Sequence, residues 1–305
     1  MAFTAKDVQS LRERTGCGMM DCKKALTDAD GDFDRAVEIL REKGLAAQEK
    51  KAGRIAAEGV VYATSTPECG AIIEVNSETD FVAKNEKFMS FVSEAANAVI
   101  VNNPATVEDL LACKGSEGTL EEMLRERILT IGENIKVRRF ERVEGTTVSY
   151  IHMGGVYATL VQFEVDPAVA ATDEFQSFGK DIAMQVAAVN PSYLDQASVP
   201  ESVIEKEKEI RAAQLKEDPK NANKPEAILE KIILGGLNKY FKEVCLLEQP
   251  FVKDDKKTVA EYVSETAKKL GSDIKVTRFI RYEKGEGLEK RNEDFAAEVA
   301  AQINR

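Results

Sequence analysis

Apolar residues recur at helical spacing through the first fifty positions and then give way to strand-like runs. Val8 and Leu11 share one helical face, and Thr15-Gly16-Cys17-Gly18 breaks the chain. Met19, Met20, Ala25 and Leu26 predict a second helix, ended by Asp28 to Gly31. A third starts at Asp32, with Phe33, Ala36, Val37 and Leu40 on one face and Gly44 expected just past its end. Gln48 to Arg54 reads as a solvated, partly helical linker.

The next stretch repeats itself. Phe88, Ser90, Phe91 and Ala96 return 87 positions later as Phe175, Ser177, Phe178 and Ala183. At the same offset, strand-like Ala71 to Val75 aligns with Ala158 to Gln162. Downstream, Ile135 to Glu144 returns as Ile274 to Glu283, an offset of 139, with Ile135 and Val137 alternating with Lys136 and Arg138 as in a half-buried strand. Each copy therefore reads strand, helix or helices, strand, an α+β unit. The two offsets differ by 52 residues, so an insertion of that size falls in the second copy. Between about Pro200 and Phe241 the chain reads as an antiparallel helical hairpin. Its arms are on the order of 25 Å long, joined by the turn-rich Asp218 to Pro225. The charge run in its first arm is expected to be a solvated face. After Gly285-Glu286-Gly287 a last helix carries Phe295 and Val299 four residues apart. The expected division is 1–54 for the three helices and linker, 55–142 for the first core unit, 143–199 with 239–281 for the second, 200–238 for the hairpin and 282–305 for a C-terminal module.

Composition narrows the function. The 305 residues include 42 basic and 53 acidic side chains, a net charge of −11. That balance argues against nucleic-acid and anionic-lipid binding, both of which need a basic face. The single histidine, His152, excludes multi-histidine metal sites; lying before Gly154-Gly155 at the entry to a strand, it reads as structural or surface rather than catalytic. Five cysteines without C-x-x-C fit free thiols in a reducing cytoplasm, and no signal peptide or membrane span is legible. No phosphate-binding glycine loop, zinc motif or distinctive carboxylate pair appears, so an enzyme is not expected. No cofactor or metal is expected either.

One segment differs sharply between the copies. Asn76-Ser77-Glu78-Thr79-Asp80-Phe81-Val82-Ala83-Lys84-Asn85 faces Phe163 to Thr172, which puts Pro167 and Ala168 opposite Asp80 and Phe81. Ser77 or Thr79 is expected to cap the following helix, with Asp80 at its positive end. Phe81 is either an ordinary core aromatic or a wedge displayed for a partner.

These residues resemble a known family. Leu11 to Leu26, Glu74-Val75-Asn76 with Thr79 to Lys84, Gly132-Glu133-Asn134-Ile135, Gln249-Pro250-Phe251-Val252 and the tail from Gly285 to Val299 are similar, in order, to bacterial translation elongation factor Ts. The resemblance implies an N-terminal ubiquitin-associated-like three-helix domain and a core of two related α+β subdomains with antiparallel sheets. It further implies an inserted helical hairpin and a C-terminal helical module. It implies a cytoplasmic guanine-nucleotide exchange factor for elongation factor Tu that performs no covalent chemistry. Thr79, Asp80, Phe81 and Val82 would then disturb Tu's magnesium and phosphate site. Arg12, Met19, Met20, Lys23, Lys51, Ile131, Gly132, His152, Leu288 and Phe295 would make further contacts to Tu. Val101 to Thr130 departs from the family, and no contact is carried over there. Self-association, as a homodimer or a two-plus-two complex with Tu, stays open, with the hairpin as the element that would mediate it. A general adaptor and a carboxylate enzyme are the alternatives of other classes.

Overall fold

The computed structural model describes residues 3–15, 17–217 and 224–289. They form helices combined with small antiparallel sheets. Helices α1 (Ala5–Thr15), α2 (Met19–Asp28) and α3 (Phe33–Lys51) close around Leu11, Cys22, Ala25, Leu26 and Ala36, all fully buried. The Asp32 carboxylate accepts the Arg35 N–H and caps α3. Gly44 does not end this helix. It lies inside α3, where a Cβ would sit 3.7 Å from the Arg125 carbonyl oxygen. That is ordinary contact distance, and Leu45 to Lys51 continue as good helix formers. Most of the expected linker is therefore helix.

The chain then forms β1 (Glu58–Ser65) and β2 (Cys69–Ser77), a 3-10 turn (Asp80–Lys84), α4 (Glu86–Asn102) and α5 (Val107–Ala112). The short pair β3 (Lys114–Gly115) and β4 (Gly118–Thr119), α6 (Leu120–Ile131) and β5 (Lys136–Glu144) follow. The sheet has the order β1-β2-β5 with antiparallel neighbours. Its helix-side face, from Ala71, Ile73 and Val75, packs on Phe88, Phe91 and Ile128. The next unit holds β6 (Thr146–His152), β7 (Tyr157–Val165), α7 (Pro167–Ala170), α8 (Asp173–Val189), α9 (Glu201–Glu217) and α10 (Glu226–Val244). It ends with β8 (Pro250–Phe251), β9 (Asp254–Thr258), α11 (Val259–Leu270) and β10 (Ile274–Glu283). Its sheet runs β10-β7-β6, again antiparallel, over Phe163, Phe175, Phe178 and Val186. Each unit thus opens with a strand, β1 or β6, that the repeat pattern alone did not indicate.

The internal repeat extends to details of backbone geometry. α4 ends on left-handed Asn103 and α8 on left-handed Asn190. Thr119 with Glu122 and Thr258 with Glu261 form matching capping boxes, and Gly132 and Gly271 both close their helices in the left-handed region. A bulge leaves Arg138 unpaired in β5 and Thr277 unpaired in β10. One alignment needs correction. Ile73 pairs with Phe140 and Val161 with Phe279, so Ile73 corresponds to Val161, an offset of 88 in the central strand rather than 87. The faces agree: Ile73 and Val161 point to the helices, while Ile72 and Leu160 point to the other sheet. A one-residue slip would exchange those faces. The helices keep 87, so the second copy is one residue shorter between strand and helix.

The two sheets lie back to back. Val61, Ile72, Ala158, Leu160, Ile280 and Tyr282 fill the space between them, and the Val61 N–H donates to the Gly155 carbonyl at 2.8 Å. At Gly70 a Cβ would fall 2.5 Å from Thr147 Oγ1 and 2.6 Å from Leu160 Cδ1, so only glycine allows this approach. With helices on one side and a sheet on the other, β2 is buried along its whole length. α9 and α10 pack against one another. Leu237 and Phe241 form a separate cluster with Val199 and Cys245, while Ile210, Ile228 and Leu234 stay exposed. The connecting residues 218–223 lie outside the described residues, as does the expected terminal helix with Phe295. No helix among the described residues is long and apolar enough to cross a membrane.

Candidate functional site

Buried β2 delivers the chain to Ser77, whose Oγ donates to the Thr79 carbonyl at 2.9 Å. Thr79 is extended, and its N–H and Oγ1 both donate to the Glu133 carboxylate, at 2.9 and 2.6 Å. Thr79, one of the two expected caps, holds the N-cap position of the 3-10 turn but makes no side-chain capping bond, because its hydroxyl is on Glu133. The cap of α4 is Asn85, whose side chain accepts from the N–H groups of Lys87 and Phe88. Between these two anchors the 3-10 turn buries Val82, 4% exposed, in the first core. With Val82 turned inward, Phe81 turns outward and is 77% exposed. The core-aromatic alternative is therefore excluded for this chain alone. Asp80 beside it is exposed and makes no hydrogen bond or ion pair among the described residues.

The other side of the site comes from the end of α6. Gly132, at φ 88°, turns the chain after Ile131 and brings Glu133 and Asn134 back onto the loop. The Asn134 N–H donates to Glu78 Oε1 at 2.6 Å, and its side-chain amide donates to the Arg54 carbonyl at 2.8 Å. Arg54 reaches Glu78 at 3.4 Å. Lys51, at the end of α3, donates to the Ile128 carbonyl at 3.4 Å. Burial holds its amine below the usual lysine value, reinforced by Arg54 and opposed by the nearby Glu78 and Glu133 carboxylates. The structure thus gathers Lys51, Ile131, Gly132 and Thr79 to Val82 into one region.

A second network ties the chain end to β2. The fully buried Glu74 carboxylate accepts from Arg138 at 3.0 Å, Arg139 at 2.7 Å, Asn76 at 3.0 Å and the Gly285 N–H at 2.8 Å. Burial pushes its pKa up, but the hydrogen bonds from Asn76, Gly285, Arg139 and Arg138 outweigh it and hold it below the ordinary carboxylate value. At Gly285, φ 68°, a Cβ would fall 2.2 Å from the Ala57 carbonyl oxygen. Leu288, half-buried, follows in the turn whose N–H returns to the Gly285 carbonyl.

The remaining candidates sit on other elements. Arg12 and Lys23 are exposed on α1 and α2, and Met19 and Met20 are 42% and 74% exposed at the start of α2. His152 ends β6 rather than entering a strand, exposed, with Nδ1 2.9 Å from the Tyr150 hydroxyl and its ring stacked near Tyr157. Phe295 lies outside the described residues. A groove of about 570 Å³ between α1, α3 and α6 is lined by Cys17, Leu40, Met123 and Leu129. Burial pushes the Cys17 thiol up, which disfavours the reactive thiolate. Among the described residues no three His, Cys, Asp or Glu side chains converge to hold a metal. Sequence reasoning gave no role to Glu74, Glu78, Glu133 or Asn134. The available signal was that Glu133-Asn134 become Ser272-Asp273 in the second copy, which also lacks counterparts of Asp80 and Phe81.

A family model described as "Elongation factor TS" matches residues 78–286, which include the exposed turn. Elongation factor Ts of Clostridium perfringens (strain 13) is 50% identical over 304 residues, covering 98% of both chains. Those of Clostridium botulinum (strain Eklund 17B) and a Nitratiruptor species are each 50% identical over 309 residues, covering 99% of this chain and all of the relative. The likeness thus includes both copies, the hairpin and the exposed Asp80-Phe81 turn, and the chain belongs to the elongation factor Ts family.

Proposed function

We propose that this chain is a guanine-nucleotide exchange factor for elongation factor Tu. It binds Tu carrying GDP, promotes GDP release by disturbing the magnesium and phosphate site, and lets GTP rebind. The observation that carries this reading is the Asp80-Phe81 pair, exposed on a turn anchored from behind by Val82 and Glu133. An exposed phenylalanine leaves about 1.5–3 kcal/mol of burial free energy unused within the chain, available to a partner pocket. Insertion of the ring would shift the side chains that hold Mg²⁺, and loss of a divalent ion beside a diphosphate removes a dominant local attraction. The chain itself needs no proton transfer, metal or bound nucleotide for this.

The three N-terminal helices, read as a ubiquitin-associated-like domain, would grip the GTPase domain through Arg12, Met19, Met20 and Lys23, with Met suited to an adaptable surface. Lys51, Ile131, Gly132, His152 and Leu288 extend the contact. The site of action is the cytoplasm. Linkage fixes one consequence: the factor by which this chain weakens GDP binding equals the factor by which GDP weakens its own binding to Tu. Exchange then runs through a ternary complex from which either ligand leaves.

The test is release of fluorescent GDP from Tu, chased with unlabelled GDP, at sub-stoichiometric concentrations of this chain. Complete release at a rate proportional to the chain's concentration is expected. Release at the spontaneous rate, or release that stops at one GDP per chain, would contradict the proposal.

A further inference from the structure

A five-residue 3-10 turn has poor hydrogen-bond geometry and does not hold itself in one orientation. Among the described residues Asp80 adds no hydrogen bond or ion pair to it, and the Phe81 ring is mostly exposed. What fixes the turn's leading edge is Glu133, which receives two short bonds from the single residue Thr79. The residue before Thr79 is fixed reciprocally, since Glu78 receives the N–H of Asn134. Charge-assisted hydrogen bonds of this kind are about twice as strong as neutral ones.

The second copy shows that the fold does not require this arrangement. There Asp166 stands in place of Thr79 and caps its own helical turn, accepting the Ala168 N–H at 2.8 Å. Ser272-Asp273 stand in place of Glu133-Asn134, and the Ser272 hydroxyl donates only to the adjacent Asp273 carbonyl, at 3.4 Å. A turn closed locally needs no partner from across the loop. The clasp occurs only in the copy that presents an exposed aromatic. The segment on its other side, Gly132 to Asn134, also carries the contact to Arg54 and lies beside Lys51.

Resting on the exchange reading above, we infer that Glu133 is a positioning residue for the Asp80-Phe81 wedge, with Glu78 and Asn134 closing the same clasp. It holds Thr79 so that the wedge meets the partner already oriented, which lowers the ordering cost of insertion. Its removal therefore slows the inserted step more than it weakens the encounter.

The full chain is assayed with Tu carrying fluorescent GDP. Glu133→Ala is expected to lower the maximal stimulated release rate about tenfold, with the half-saturating concentration changed less than threefold. Hydrogen exchange at the Thr79 amide should speed up at the same time. In a Phe81→Leu background, which keeps a smaller wedge, the loss from Glu133→Ala should shrink, because both act through one group. Ser272→Ala, the matching change in the second copy, should leave the rate unaltered. Should Glu133→Ala lower the melting temperature into the assay range, Glu133→Gln keeps the volume and removes the charge. An undiminished maximal rate, or the same fold-loss on top of Phe81→Leu, overturns the positioning role. If Asp80→Ala with Phe81→Ala is slow while Glu133→Ala is normal, only the clasp fails. If the double variant is itself normal, the exchange reading fails and the clasp has no wedge to serve.

Discussion

The connection from β2 to α4 and the one from β7 to α8 start from the same frame and finish differently. Both leave the middle strand of a three-stranded antiparallel sheet, and both enter a helix that packs two phenylalanines into its core. In the second copy Asp166 satisfies the turn locally, Pro167 starts it, and Val169 and Ala170 rest against the core. In the first, the turn's first donors go to Glu133, 54 residues away, and Val82, with Ala83 beside it, anchors the turn inward. That arrangement frees Asp80 and Phe81 from any structural duty. The frame is common to both copies, while the wedge proposed above belongs to the loop that gave up local closure.

The largest effects should appear where the copies are alike. Phe88→Ala and Phe175→Ala each remove a fully buried ring and should each cost about 3–5 kcal/mol in urea unfolding. A clear inequality would break the claim that the two cores are equivalent. The next effect separates the copies. Glu74 corresponds in register to Gln162, so Glu74→Gln gives the first copy the second copy's residue. It should cost about 1–3 kcal/mol at neutral pH, since Arg138 and Arg139 lose a charged acceptor but keep some access to water. The sign of its pH dependence follows from the lowered pKa. The stabilisation is full above the ordinary carboxylate value and is lost as pH falls through the lower folded value, so wild type and variant should converge in acid. A gap that stays constant down to about pH 3 or widens would contradict the assignment. The smallest effect returns to likeness: Thr119→Ala and Thr258→Ala each remove one capping box and should cost about 1 kcal/mol, read from thermal melts.

The repeated helices were legible because their phenylalanines sit at fixed spacing in a sequence where aromatics are few. The strand register was not. β2 and β7 are covered on both faces, so neither shows the alternation that would say which residues point to the helices, and similar Ala, Ile and Val runs align as well at 87 as at 88. Gly44 looked like a helix end because glycine is common just past helix termini, but the helix formers after it carry α3 on to Lys51. Phe81 beside Val82 offered two adjacent apolar residues for one inward position, which the backbone of the turn assigns to Val82. The bonds from Thr79 to Glu133 had no local signature at all, being a tertiary contact between two loops.

The most direct measurement compares the two loops in stopped-flow release of fluorescent GDP from Tu. Asp80→Ala with Phe81→Ala should slow stimulated release about a hundredfold or more with the fold intact by circular dichroism, while Pro167→Ala and Ala168→Ser should leave it nearly unchanged. Equal losses in both loops, or an unimpaired rate in the first, would contradict the account.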